Sequence, residues 1–465
     1  MKLDASTGGA RCSGARTGRM RPSIVLIAVL VCCVSALIAT EARGASAGSL
    51  DRNFSSDGKK LTDLFARDDR TYDLAVQPDG RVLVAGESRK PDRNARMTLA
   101  RYRRDGSVDR SFDRDGFAFV RRFSDGPYGR NEFYDSRGTT LVMQTSRKIL
   151  VAGDESGDLA LARFRSNGEL DRRFGRSGKV VTKLLGLNRA EDVAIQPNGK
   201  IVIAGHKHPA GSGEFELLLA RYKRDGTLDR SFGDGGSLRT TFGLDTYAQA
   251  FGVVLQPDGK IVVSGELGGG FIVARFRSDG SLDTGFGNNA GFQDLEPFGA
   301  GSAKDVAVLP DGKILAAGSI PGSRGGDFGL ARYLPDGSPD STFGDEGGVR
   351  TSFGASRNRD GAYALTVQPD GRIVAAGDSA LNFSKSRFAV ARYMPDGNLD
   401  VSFAGDGKAR FGFPRKSAKG NRSFAEAVAT TPRGRIVVAG WSAALRGPGG
   451  SDDDFALARL LGAPG

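Results

Sequence analysis

Three features of the sequence predict an all-β fold built from repeats. A unit of about sixty residues recurs seven times between Leu50 and Arg459, and each copy has a β-branched run that closes on a glycine: Gly86, Gly153, Gly205, Gly265, Gly318, Gly377 and Gly440. A second apolar word, usually LAR or VAR, follows each glycine and places arginines at Arg101, Arg163, Arg221, Arg275, Arg332, Arg392 and Arg459. The apolar runs are short and alternate, as Leu365, Val367, Ile373 and Ala375 do, with Pro-Asp-Gly punctuation between them. Alternation over short runs is the period-two pattern of half-buried strands, and Pro followed by Gly suits tight turns. Self-similarity at this period points to a solenoid, a propeller or an array. Four strands per copy and seven copies therefore predict a seven-bladed β-propeller of four-stranded antiparallel blades.

The first 47 residues stand outside the repeat. Basic Lys2, Arg11, Arg16, Arg19 and Arg21 precede an apolar run from Ser23 to Ala39, and Ala45-Ser46-Ala47 follows as a small-residue cleavage site. This is the pattern of a secretory signal peptide, and the run is short for a membrane span, which needs about 20 residues. The organisation expected is a signal peptide over 1–47 and one repeat domain over 48–465, with membrane attachment only if the signal segment stays uncleaved. Export to the cell envelope or the medium follows from it.

The ends of the repeat array predict closure. LDRNFSSDGKKLTDLF, from Leu50 to Phe65, aligns without a gap with VDRSFDRDGFAFVRRF and LDRRFGRSGKVVTKLL, the ends of the first two copies, and the last copy lacks this piece. The N-terminal strand is thus expected to complete the last blade and remove two open sheet edges, a device that an open solenoid has no need of.

Cys12, Cys32 and Cys33 all lie in the signal segment, so the exported domain has no disulfide and must hold by its core alone. The net charge of +12 falls to +8 once the six basic and two acidic residues of that segment are removed. The charges are mixed along the repeats instead of clustered, which argues against a nucleic-acid partner.

At QPDGKIVVSG (Gln256 to Gly265) followed by VARFRSDGSLDTGFG (Val273 to Gly287), the chain closely resembles the delta-60 repeat family of bacterial proteins, over essentially the whole region after the signal segment. The resemblance implies an exported, propeller-like repeat protein and implies no reaction. Individual copies drift: QTSRK at Gln144 to Lys148 and TPRG at Thr431 to Gly434 replace the usual turn, and Pro339 stands where Leu or Val is usual.

The recurrent aspartate of the LDxxF word falls at Asp51, Asp109, Asp171, Asp229, Asp283, Asp340 and Asp400. Sevenfold recurrence suits a turn-stabilising carboxylate paired with the LAR arginine better than a metal ligand, and the spaced ligand pattern of a calcium loop is missing. Asp452-Asp453-Asp454 is the residual cation candidate, although consecutive carboxylates on a strand cannot all face one ion. His206 and His208, the only histidines, are read as a loop pair without a third ligand. No catalytic residue, metal or cofactor is expected from these motifs.

Variation between copies directs the functional reading. The connections between first and second strands, and between third and fourth, repeat a fixed wording, whereas the second-to-third and copy-to-copy connections differ in length and chemistry. In an up-and-down blade both variable sets emerge on one face, which is the expected binding face. On it stand Trp441 and Arg446, a pairing suited to stacking on a sugar or anchoring a peptide, with Arg415 and Lys416 nearby and Tyr128 and Tyr247 on neighbouring connections. The expected function is a monomeric, non-enzymatic module that binds a glycan, an acidic surface polymer or a protein. A carbohydrate hydrolase and a structural or adhesive envelope protein are the alternatives.

Overall fold

The computed structural model describes residues 46–462 apart from 66–67, 90–94, 121–122, 124–134, 145–146, 185, 210–213, 295–297, 323–324, 355–358, 383, 414–420 and 448–449. Among the described residues every regular element is a strand, and the strands fall into sets of four. After β1 (Lys59–Thr62), the first set is β2 (Asp69–Val76), β3 (Val82–Arg89), β4 (Ala95–Tyr102) and β5 (Phe117–Val120). The second is β6 (Ser136–Gln144), β7 (Lys148–Glu155), β8 (Asp158–Phe164) and β9 (Lys179–Thr182). The third is β10 (Leu187–Ile195), β11 (Ile201–His208), β12 (Glu216–Tyr222) and β13 (Ser237–Thr240). The fourth is β14 (Ala248–Leu255), β15 (Ile261–Leu267), β16 (Gly270–Phe276) and β17 (Phe292–Asp294). The fifth is β18 (Ser302–Val308), β19 (Ile314–Gly322), β20 (Gly325–Tyr333) and β21 (Gly348–Thr351). The sixth is β22 (Arg359–Val367), β23 (Ile373–Asn382), β24 (Lys385–Tyr393) and β25 (Lys408–Phe411). The chain ends in β26 (Asn421–Thr430), β27 (Ile436–Gly447) and β28 (Gly450–Leu460).

Sets one to five are separate four-stranded antiparallel sheets with their strands in chain order. β22 to β28 and β1 form one eight-stranded sheet because a single parallel bridge, Lys385 to Asn421, links β24 to β26. β1 runs antiparallel to β28, with Lys59 opposite Ala458 and Thr62 opposite Phe455, so it occupies the fourth place beside β26, β27 and β28. Leu50 makes a further bridge to Leu460.

Apolar clusters fill the seams between consecutive sets, as half-buried strands with one residue in two turned inward require. Leu99 and Ile149 share one such seam, Leu150 and Ile203 the next, and Val263 and Ile272 pack with Val202 in the third. One cluster joins the chain's extremes: Leu74, Val82 and Val84 pack with Val437, Phe455 and Leu457, and Phe54 lies among them. Burying each such side chain contributes about 1.5–3 kcal/mol, so a core repeated at every seam accounts for a fold without cross-links.

The signature glycines have a steric cause. In every first strand the pairing register skips one residue near the middle of the strand, which is a β-bulge, as between Thr71 and Asp73. The bulge drives the carbonyl of Arg70 against Gly86, where a Cβ would lie 1.9 Å from that oxygen. The same approach recurs at Gly153, Gly205, Gly265, Gly318, Gly377 and Gly440. The repeated glycine therefore marks the bulge, and the bulge sets the residues that face inward.

Candidate functional site

Each bulge supplies one extra side chain, and all seven line a single cavity of about 120 Å³: Tyr72, Thr139, Glu191, Phe251, Lys304, Tyr363 and Glu426. The cavity is enclosed by β2, β6, β10, β14, β18, β22 and β26, so it lies where the first strands converge. The bulges fall near the middle of each strand. No two neighbouring sets offer the same side chain here.

The residue after the bulge is a fastener. Asp73 accepts hydrogen bonds from the backbone N–H of Leu74 and, across the seam, of Leu141, both at 2.7 Å. Asp192 does the same with Val193 and Val253, and Asp305 with Val306 and Leu365. These aspartates occur in sets one, three and five and tie each to its successor. Burial raises Asp73 to about 8, Asp305 to about 7 and Asp192 to about 6, the Asp192 carboxylate adding to the rise of the other two, against the lowering effect of the N–H donors.

Both signs of charge face the cavity. Glu191 on β10 stands 3.0 Å from Nε of Arg189 and 3.6 Å from Nδ1 of His206, and burial pushes its carboxyl up to about 7. Glu426 on β26 accepts the indole N–H of Trp441 at 3.0 Å, and burial raises it too. Lys304 on β18 holds its ammonium 3.4 Å from the centroid of the Phe251 ring, and burial lowers its pKa although Glu266, Glu191 and Glu426 oppose that shift. Tyr72 donates to Glu87 at 2.7 Å. A site of this kind can orient a polar ligand or move a proton.

The structure redistributes the residues expected at the binding face. Trp441 lies on β27, not on a loop: it stacks on Phe424 with centroids 4.3 Å apart, and the guanidinium of Arg70 covers its ring at 4.8 Å. Its cationic partner is thus Arg70 from the first set, while Arg446 sits further along β27. Tyr247 precedes β14 and donates to Glu266 at 2.7 Å. Tyr128, Arg415 and Lys416 lie outside the described residues. The histidines also differ from expectation, because both belong to strand β11, where each packs edge-on against Phe215 at 5.1 Å. Burial and nearby cations lower His206 to about 4, so it is neutral at physiological pH.

Asp452 and Asp454 project from the same side of β28 and, with Asp63, bring three carboxylates within 4.8 Å of one another. Asp453 turns the other way and pairs with Arg70 at 2.6 Å. Alternation along a strand separates the consecutive acids, as strand geometry requires.

The repeated charges form a second set, distinct from the residues that line the cavity. Arg101, Arg163, Arg221, Arg275, Arg332, Arg392 and Arg459 place Nε 2.7–3.0 Å from Asp109, Asp171, Asp229, Asp283, Asp340, Asp400 and Asp51 respectively. The last pair joins β28 to the segment before β1. Each arginine also lies over the phenylalanine of the LDxxF word at 4.4–5.0 Å. Its Nη1 donates to a carbonyl of the following set, from Arg101 to Ser166 through Arg392 to Gly462, and from Arg459 to Arg104 of the first set. A second cation just after the first turn, such as Lys148, Lys200 or Lys313, reaches the same aspartate at 2.6–2.9 Å. Burial raises these carboxyls, but side-chain hydrogen bonds and the two cations outweigh it, so Asp109, Asp171, Asp229, Asp283, Asp340 and Asp400 all sit below the usual range.

A family model described as a domain of unknown function (DUF5122) β-propeller matches residues 77–112, 144–174, 196–232, 256–286, 309–343 and 368–403. Each match runs from a first turn to the phenylalanine of an LDxxF word, so the chain carries β-propeller repeats. That description names a fold and no reaction, and the delta-60 name stays a resemblance. Among solved structures, a catalytically inactive virginiamycin B lyase from Staphylococcus aureus with quinupristin is 10% identical, covering 86% of this chain and 98% of that one, with a TM-score of 0.43. Sqt1 from Chaetomium thermophilum, bound to the N-terminus of a ribosomal protein, is 11% identical over 86% and 98%, with a TM-score of 0.45. The polysaccharide lyase Uly1 is 10% identical over 84% and 90%, at 0.46. At this distance the likenesses bear on no function. No curated protein matches the chain.

Proposed function

We propose that the chain is an exported, non-enzymatic seven-bladed β-propeller, closed by β1, that binds a glycan, surface polymer or protein partner at the variable end of its central channel. Closure is supported by the pairing of β1 with β28, by the apolar cluster shared between Leu74 and Leu457, and by the Arg459 bond to Arg104. Export is supported by the signal-like first 47 residues.

The observation that carries the binding reading is the contrast at equivalent positions. A side chain required by the fold recurs in every copy, as the arginine and aspartate of the charge pairs do. The seven bulge positions are geometrically equivalent, yet they hold Tyr, Thr, Glu, Phe, Lys, Tyr and Glu. The fold does not demand this set, and a mixture of aromatic, charged and hydroxyl groups around one cavity suits ligand recognition. A glycan array and a pull-down from cell-wall and culture fractions test it. Ligand captured by the wild type and lost with Tyr72→Phe combined with Glu426→Gln, at unchanged melting temperature, supports the channel. Capture unaffected by these changes but lost on mutating the uniform turn at Asp258 would place binding on the opposite face.

One observation favours a hydrolytic reading in second place: Glu191 and Glu426 share the cavity and both are shifted toward the protonated state, as a general acid needs. Turnover of any glycan retained on the array, abolished by Glu191→Gln, would favour it.

A further inference from the structure

The charges in the channel face one another without touching. Lys304 makes no ion pair or hydrogen bond among the described residues, and its ammonium has only the Phe251 ring as a close partner. Glu191 has one oxygen, Oε1, facing Arg189 and His206, and Glu426 has one, Oε1, bonded to Trp441. The second oxygen of each carboxylate has no partner among the described residues. The three groups stand on β10, β18 and β26, every second one of the inner strands. Each nonetheless acts electrostatically on the others across the axis.

Half-buried charges of opposite sign are costly to leave apart, and proteins pair them or bind something between them. These strands belong to different sheets anchored at their own seams, so the fold holds the groups apart. What fills the space must therefore carry both signs, with an acceptor for Lys304 and a donor for the two glutamates. The cavity of about 120 Å³ limits it to a small head group.

We infer that the channel binds a free α-amino acid, its carboxylate on Lys304 and its ammonium between Glu191 and Glu426. The aromatic wall of Phe251, Tyr72 and Tyr363 would enclose the backbone of the ligand and limit its side chain. This inference rests on the channel being the binding site and narrows what enters it. It differs from recognition of a polymer, whose internal units carry no such pair of free charges.

Calorimetric titration of the repeat domain with L-alanine, N-acetyl-L-alanine and L-alaninamide tests it, because the last two each keep one charge and lose the other. L-alanine should bind at least tenfold more tightly than either. Lys304→Met should remove that advantage over alaninamide, and Glu426→Gln should remove the advantage over N-acetylalanine, while the melting temperature of Glu426→Gln stays within a few degrees of wild type. Equal, negligible heats for all three probes would show that water alone fills the cavity and would overturn the inference, as would alanine binding indifferent to both variants. Should a polymer captured in the pull-down still depend on Tyr72 and Glu426 while alanine neither binds nor displaces it, the channel reading stands and the amino-acid inference alone fails.

Discussion

The repeated charge pairs and the cavity-lining bulge positions are built from the same repeated unit and obey opposite rules. In the charge pairs an arginine, an aspartate and a phenylalanine recur without exception from Arg101 to Arg459, because each arginine neutralises its own aspartate and also holds another set through a carbonyl. At the bulges the backbone is equally regular, with a glycine opposite every time, yet the side chain presented there changes from set to set. Regular backbone with irregular side chains separates what the fold needs from what it tolerates. The charge pairs fasten the fold at every copy, and the bulge positions vary where the backbone does not.

The contrast can be broken or sharpened by experiment. The largest effect expected comes from deleting residues 50–65, which removes fully buried Phe54, strands Arg459 without Asp51 and bares the edge of β28. Loss of one large buried aromatic and one partner of a buried pair predicts more than about 4 kcal/mol and a tendency to aggregate, read by guanidinium unfolding and light scattering. An unchanged midpoint would mean that the chain's ends contribute no seam. Next comes Arg275→Ala. It leaves buried Asp283 with only the more exposed Lys260 at 3.3 Å and Arg277 at 3.7 Å, and is predicted to cost about 3 kcal/mol, the low end for a broken buried pair. Arg101→Ala should match it, and a wide difference between the two would end the equivalence of the charge pairs.

Around the cavity the fastening and the lining residues should part company. Asp73→Ala leaves two buried N–H groups without an acceptor and is predicted to cost about 1–3 kcal/mol, whereas Thr139→Ala or Tyr363→Phe should cost under about 1. Parallel unfolding curves of the three variants decide this. The smallest effect is with pH. The depressed aspartates of the charge pairs add stability that is present above their unfolded value of about 3.9 and is lost as pH falls through the folded value. The raised carboxyls of Asp73, Asp305 and Glu191 do the reverse, their contribution being complete below about 4 and lost as pH rises toward 7 or 8. Unfolding midpoints should therefore be higher at pH 5 than at pH 8, and Asp73→Asn should flatten part of that slope. A midpoint that rises from pH 5 to pH 8 would mean these raised carboxyls are ionised in the fold.

The strands, the turns and the charge pairs were legible because each depends on local wording repeated seven times, and because Arg275 and Asp283 are only eight residues apart. The phenylalanine beneath the arginine, and the lysine or arginine after the first turn, were equally periodic. They went unread because a repeated aromatic looks like core and a repeated turn cation looks like solubility. The channel was not legible. Glu191, Lys304 and Glu426 are more than a hundred residues apart, and nothing local shows that a bulge turns them inward. The signal was nevertheless present: the glycine closing each second strand marks the bulge, and the DLAV, DVAI and DVAV words mark the fasteners in sets one, three and five. Trp441 and the histidines were assigned to loops because the sequence after each glycine looks irregular, whereas β27 and β11 extend through it.

The pairing of Lys59 with Ala458 also sets a timetable. β28 is made roughly 400 residues after β1, which at about 5–20 residues per second is about 20–80 s of synthesis. Through that interval the earlier strand has no native neighbour, and no amount of local folding can supply one. The chain therefore reaches its final form only after the whole array has been translated, as a latch that shuts last. A cut anywhere near Leu460 would leave a strand long since made still waiting for its mate.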